Sequence, residues 1–147
     1  SALQRRNFPQ AISFATQAMV LDSTTRQPIH RKPIFRQNLA SVYVSRAAVA
    51  INQERLEEGK RDLQAALALN PNNDNAYINL GMIYGRQKEY KQALVAFQAA
   101  YKANPSSQIA QQYIFHIQQA MAEEEAENEE KAEAEKAKKL RDTPLKK

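Results

Sequence analysis

Histidines and carboxylates are the side chains in this sequence that could perform acid–base or metal chemistry, and they form no recognisable constellation. The two histidines, His30 and His116, are far apart, and neither lies in a metal-binding or nucleophile motif. The acidic run at residues 123–130 lacks the turn and the mixed oxygen ligands of a calcium loop, so a solvated helix face is expected. The chain has no cysteine and no glycine-rich phosphate loop. We therefore predict no catalytic residue, no metal site and no cofactor, and we do not expect an enzyme.

The basic residues lie mostly at the front of the chain. Residues 1–36 contain six basic residues and one acidic residue, whereas residues 123–147 contain seven basic and nine acidic ones. One interpretation is an ordinary solvated surface, and the other is a patch for an acidic partner or an anionic membrane surface. Such a patch would consist of Arg26, Arg31, Lys32 and Arg36. Aromatic residues are not interleaved with these bases as single-stranded nucleic acid requires, so nucleic acid is not the expected partner.

Composition indicates a soluble, folded chain. Of its 147 residues, 43% are hydrophobic and 25% are charged, and only three are glycine, which argues against an all-β fold rich in tight turns. No apolar run approaches the roughly 20 residues that span a bilayer. We expect a cytoplasmic or stromal location, with any membrane attachment supplied by residues upstream of this sequence.

Two segments of the chain repeat each other at an offset of 34 residues. The first begins at Tyr43 and the second at Tyr77. The matched pairs are Tyr43 and Tyr77, Ala47 and Gly81, Gly59 and Ala93, Leu63 and Phe97, Ala66 and Ala100, and the two Asn-Pro steps at 70–71 and 104–105. In each unit the apolar residues recur at helical spacing in two stretches, and proline ends the second. Each unit is therefore predicted to be a pair of antiparallel helices, which must stack on a neighbour to bury its apolar stripe.

The second unit resembles a tetratricopeptide repeat, and the first resembles one more loosely because Arg46 stands where leucine is usual. The residues that carry the resemblance are Tyr77 (in place of the usual tryptophan), Leu80-Gly81, Tyr84, Ala93, Phe97 and Pro105. The resemblance implies an all-α fold, an α-solenoid of stacked antiparallel helix pairs. It also implies that small residues, Gly81 above all, let paired helices approach closely.

The elements around the two units complete the predicted organisation. A domain over residues 1–122 would contain a partial repeat (1–23), a basic connection (24–39), repeats at 40–73 and 74–107, and a capping helix (106–122). Pro33 is expected at a helix start. Residues 123–147 are predicted to form a charged tail, either helical or disordered, with glutamate–lysine pairs four residues apart. The first six residues of the partial repeat are too few for its partner helix, so either the chain is a piece of a longer protein or another molecule covers the gap. An uncovered Phe14 and Met19 would favour self-association through the first helix.

The candidate binding site is the concave face lined by the first helix of each pair. Amides there could bond a peptide backbone while apolar side chains receive its side chains. The predicted contact residues are Asn52, Asn75, Ile78, Asn79, Met82, Arg86, Ile109, Gln112, Tyr113 and His116. By resemblance, Asn79 corresponds to an asparagine that binds the ligand backbone in many family members.

The resemblance implies a scaffold that binds a protein or peptide ligand, such as an adaptor or an assembly factor. A bacterial or plastid setting, for instance photosystem or pilus assembly, fits the many glutamines and alanines. The alternative is a protein that associates with membranes or nucleic acid through its basic connection. Family members that hold chaperone carboxylate tails use a lysine and an arginine one turn apart. The corresponding helices here offer no such pair, so we expect no affinity for acidic chaperone tails.

Overall fold

In a computed structural model, residues 8–22 and 33–146 are described, and they form six α-helices. These are α1 (Phe8–Asp22), α2 (Pro33–Asn52), α3 (Leu56–Leu69), α4 (Asp74–Arg86), α5 (Tyr90–Ala103) and α6 (Gln108–Asp142). Helix α2 begins at Pro33, as expected, since proline lacks the amide hydrogen that the first turn leaves unbonded. Consecutive helices pack against each other along the chain from α1 to α6. The expected all-α solenoid of helix pairs is confirmed.

The turns between helices repeat with the same 34-residue offset as the sequence. Between the two helices of each pair, Glu54 and Lys88 both take a positive φ, of 58° and 59°. Between pairs, the side chain of Asn73 accepts a hydrogen bond from the Ala76 amide, and Ser107 does the same for Ala110. Each bond satisfies an amide that the first helical turn leaves free. The equal turns give successive pairs the same geometry.

Two apolar clusters form the core, one for each pair and the helix that follows it. The first cluster joins α2, α3 and α4 around fully buried side chains, among them Ile51, Leu63 and Ile83. The second joins α4, α5 and α6 around Phe97, which is 2% exposed. Each pair is thus sealed by the first helix of the next unit, as a stacked array requires.

Helix α6 has a first part that packs on the domain and a second part that is exposed. Its first part packs on α5, and Ala110 and Ile117 are buried there. From Glu123 onward its side chains are exposed, and Glu127–Lys131 and Glu135–Lys139 form ion pairs at 3.5 and 2.9 Å. The charged segment is therefore a helical continuation of the capping helix. Among the described residues, no helix is long and apolar enough to cross a membrane.

Candidate functional site: a groove between α4 and α6

The groove begins with two glycines one turn apart on α4. An ideal Cβ on Gly81 would lie 2.5 Å from Cε1 of Phe97, closer than real Cβ atoms approach, so this position is closed to any side chain. On Gly85 the nearest atom would be Cδ1 of Ile117, at 3.9 Å. Gly81 therefore admits the ring of Phe97 between α4 and α5, whereas Gly85 leaves open space between α4 and α6.

That open space is a cavity of about 310 Å³ on the surface between α4 and α6. Phe97 and Tyr113 form part of its wall, with their rings stacked 4.9 Å apart and 6° from parallel. Gly81, Met82, Gly85, Arg86, Phe97, Tyr113, His116 and Ile117 line it. We call this cavity the α4–α6 groove. Four of the predicted contact residues, Met82, Arg86, Tyr113 and His116, meet here.

Arg86 lies on the rim of the groove, but its guanidinium group is already bound within the chain. Its Nη1 donates to the carbonyl oxygen of Ile51 at 2.8 Å and to Oε1 of Glu54 at 2.7 Å. The first bond satisfies a carbonyl at the C-terminal end of α2, where a cation is also favoured by the helix dipole. Arg86 therefore ties α4 to α2 and is not a free cation for a ligand.

The prediction for Ile78 is wrong. Its side chain is 8% exposed and belongs to the second apolar cluster, together with Phe97 and Ala110. The side chain therefore belongs to the core that α4 shares with α5 and α6, and it does not line the cavity.

The remaining predicted contacts lie outside the cavity. Asn52, Asn75, Ile109 and Gln112 are exposed. Asn79 is half-buried, and its Nδ2 donates to the Asn75 carbonyl oxygen at 2.9 Å, one turn earlier on the same helix. Its side-chain oxygen, Oδ1, accepts no hydrogen bond within the described part of the chain. Asn79 can therefore still accept a hydrogen bond from a ligand.

The basic patch is not assembled by the described residues. Arg26, Arg31 and Lys32 lie outside them. Arg36 donates from Nε to the carbonyl oxygen of Leu69 and from Nη2 to that of Ala68, each at 3.1 Å. It satisfies carbonyls at the C-terminal end of α3, as Arg86 does for α2. Arg36 is nevertheless exposed, and the basic patch stays a prediction.

A charged contact that the sequence analysis did not predict joins α2 and α3. Arg46 donates from both Nε and Nη2 to the carboxylate of Asp62, the former at 2.6 Å, and Asp62 is 7% exposed. The hydrogen bond to Asp62 raises the pKa of the Arg46 guanidinium, although partial burial opposes it. The unusual arginine at position 46 was the available signal, because a long cation inside a helix pair needs an acid opposite it. Within residues 8–22 and 33–146, no three His, Asp or Glu side chains meet in an arrangement that could hold a metal ion.

Comparison with known proteins agrees with this architecture. Tetratricopeptide repeat models match residues 40–73 and 75–107. The chain is 29% identical over 108 residues to the "Tetratricopeptide repeat domain-containing protein PYG7, chloroplastic" of Arabidopsis thaliana, covering 74% of this chain and 33% of that protein. The chain therefore spans about a third of the length of that relative.

Two solved structures share the fold. The Hsp90 co-chaperone Cns1 of Saccharomyces cerevisiae matches with a TM-score of 0.67 and 17% identity, over 93% of this chain and 41% of that one. The first TPR of Spaghetti (RPAP3), bound to the HSP90 peptide SRMEEVD, matches with a TM-score of 0.53 and 20% identity, over 82% and 85%. At these identities the likeness concerns the fold alone.

Proposed function

We propose that this chain, whose residues 40–73 and 75–107 match tetratricopeptide repeat models, is a non-catalytic scaffold that binds a segment of a partner protein. The observation that carries the proposal is the α4–α6 groove, where Met82, Tyr113 and His116 surround one cavity. Ligand sites are typically concave and mostly apolar, with a few polar groups at the edge. The polar groups in this proposal are the amides of Asn75, Asn79 and Gln112, which lie outside the cavity on the same two helices and would bond the peptide backbone.

We propose further that the scaffold acts as an assembly factor or adaptor in a bacterial or plastid setting, in the cytoplasm or stroma. The chloroplastic relative supports this setting. The partner would be a subunit of a larger complex, such as a photosystem or a pilus, and one of its peptide segments would lie across α4 and α6. The alternative role at a membrane surface or on nucleic acid depends on Arg36, which bonds α3, and on Arg26, Arg31 and Lys32, which lie outside the described residues.

The first test is the substitution Asn79→Ala, with partners captured by affinity purification from the source cells. The loss of one hydrogen bond to a peptide backbone should weaken binding of the purified partner about two- to tenfold. The melting temperature should stay unchanged, because Asn79 makes only a local bond on its own helix. Gln98→Ala, an exposed amide on α5, serves as the matched control and should bind as wild type does. If Asn79→Ala binds the partner as tightly as the wild type does, the concave face around Asn79 is not the binding site.

A further inference from the structure

Gly85 is a position where the fold gains nothing from a missing side chain. Glycine inside a helix is less stable than alanine because the unfolded chain gains more conformational freedom. Gly81 has a packing reason, since Phe97 occupies the space beside it. Gly85 has none, because it has no positive φ and its Cβ would meet no atom closer than 3.9 Å.

The preceding repeat shows what the space at Gly85 normally contains. The residue 34 positions before Gly85 is Ile51, which is 1% exposed. Ile51 packs in the first apolar cluster with Ala47, Leu63 and Ile83. The counterparts of those three neighbours are Gly81, Phe97 and Ile117, and all three line the α4–α6 groove. The groove is therefore the volume that a buried isoleucine fills one repeat earlier.

The electrostatics of the groove favour an uncharged occupant. None of its lining residues is acidic, and its one permanent cation, Arg86, is paired with Glu54 and hydrogen-bonded to the Ile51 carbonyl. A charged side chain entering the groove would lose hydration and find no free counter-charge, whereas an apolar one would cover Phe97, Tyr113 and Ile117. The volume of about 310 Å³ is at the lower end of the range for ligand sites.

We infer that the α4–α6 groove is a socket for one large aliphatic or aromatic side chain of a partner peptide, which takes the place that Ile51 occupies in the preceding repeat. This inference rests on the proposed function and specifies the chemistry of its ligand. The amides of Asn75, Asn79 and Gln112 would contact the peptide backbone, and the socket would select the residue. Burial of one such side chain is worth roughly tenfold or more in affinity.

The first experiment uses small probes and the full chain. N-acetyl-tryptophanamide, N-acetyl-leucinamide and N-acetyl-glutaminamide are titrated to millimolar concentration while amide resonances are followed by NMR. The two apolar probes should shift the amides of Gly81, Gly85 and Tyr113, and the glutamine probe should not. If neither apolar probe shifts them, or if all three do so equally, the inference is overturned whatever partner the chain binds.

The second experiment fills the socket from within. Gly85→Ile supplies the side chain found one repeat earlier, and it should abolish the probe shifts while keeping or raising the melting temperature. Gly85→Leu is the second variant, in case branching at Cβ strains the helix end, and Gly85→Ala is the matched control that leaves the socket open. Unchanged probe binding by both folded large variants would contradict the inference.

A random peptide library separates the socket from the wider function. Peptides enriched by the wild-type chain should share one large apolar residue and should lose roughly tenfold or more in affinity for Gly85→Ile. Peptides that depend on Asn79 but show no apolar preference, and that bind Gly85→Ile normally, would overturn the socket and leave the scaffold function standing. If Gly85→Ile changes only the sedimentation of the chain, the occupant is a second copy, and the inference of a partner peptide fails.

Discussion

At the scale of single residues, the two glycines of α4 make opposite contributions. They lie one helical turn apart, and composition or propensity alone would treat them alike. The structure separates them by the atoms that a side chain would meet: the ring of Phe97 at Gly81, and open space at Gly85.

Substitutions at these glycines should move stability in opposite directions. Gly81→Leu should reduce the free energy of unfolding by roughly 1–3 kcal/mol or more, because the added side chain would force the ring of Phe97 out of its place. Gly85→Ala should raise it by about 0.4–1 kcal/mol, because alanine fits the helical backbone and lowers the entropy of the unfolded chain. Denaturant unfolding of both variants measures the difference. Equal losses in the two variants would show that the assigned faces of α4 are wrong.

At the scale of elements, the two helix pairs share one geometry but use different chemistry at corresponding positions. The pair α2–α3 is joined by the ion pair between Arg46 and Asp62. At the corresponding positions, 34 residues later, the pair α4–α5 has Leu80 and Ala96. The backbone arrangement thus accepts either a charged contact or an apolar one.

The effects of substituting Arg46 and Asp62 on stability should therefore be strongly coupled. Arg46→Leu alone should destabilise the chain by roughly 1–3 kcal/mol, because it leaves the buried carboxylate of Asp62 without its partner. The double substitution Arg46→Leu with Asp62→Ala should recover most of that loss, since well-packed apolar residues often replace such pairs without penalty. A double-mutant cycle by thermal or denaturant unfolding provides the measurement. Additive effects of the two substitutions would mean that the ion pair does not couple α2 to α3.

At the scale of the whole molecule, the fold resembles that of proteins whose ligands differ in chemistry from the one expected here. One neighbour in structure is bound to an HSP90 peptide that ends in two glutamates, a valine and an aspartate. Recognition of a terminal carboxylate depends on charge-assisted hydrogen bonds from free cations.

We expect this chain not to bind the peptide SRMEEVD. The first-helix positions expected to face a peptide carry Ser41 and Ser45, Asn75 and Asn79, and Ile109 and Tyr113, and Arg86 is already bound to Glu54. Isothermal titration with the peptide, and with a version whose C-terminus is amidated as a control, tests the expectation. Micromolar affinity that depends on the free carboxylate would show that another cation of the chain binds that carboxylate.

The front of the molecule is expected to mediate self-association. Phe14 on α1 is 64% exposed, whereas Phe8 at the start of the same helix is buried, and the side chain of Met19 lies outside those described. Large exposed apolar side chains often mark contacts between molecules. Sedimentation at increasing concentration should show association, and Phe14→Ser should reduce it. Leu140→Ser is the control, because Leu140 is equally apolar and 72% exposed on the charged end of α6. A strictly monomeric chain at high concentration would rule out this contact.

Much of the fold can be predicted from the sequence, because the patterns that indicate helices are local and occur in both repeats. The 34-residue offset, the helical spacing of apolar residues and the prolines determine six helices in pairs, and they identify Gly81 as a close contact. The groove residues Met82, Tyr113 and His116 were also predictable, since each lies at a fixed angle on its own helix. Even the replacement of Ile51 by Gly85 is visible when the two repeats are aligned.

Only the tertiary structure decided which of those residues a partner can reach. Periodicity indicates which side chains share a helix face, but not which neighbouring helix covers that face or where the neighbour ends. Ile78 is buried in the apolar cluster that α4 forms with α5 and α6, and the C-terminal ends of α2 and α3 hold Arg86 and Arg36, because unsatisfied carbonyls there lie within reach of a long cation from another helix. The α4–α6 groove also depends on tertiary structure. Its width is set by the distance between α4 and α6, and α5 separates these two helices along the chain.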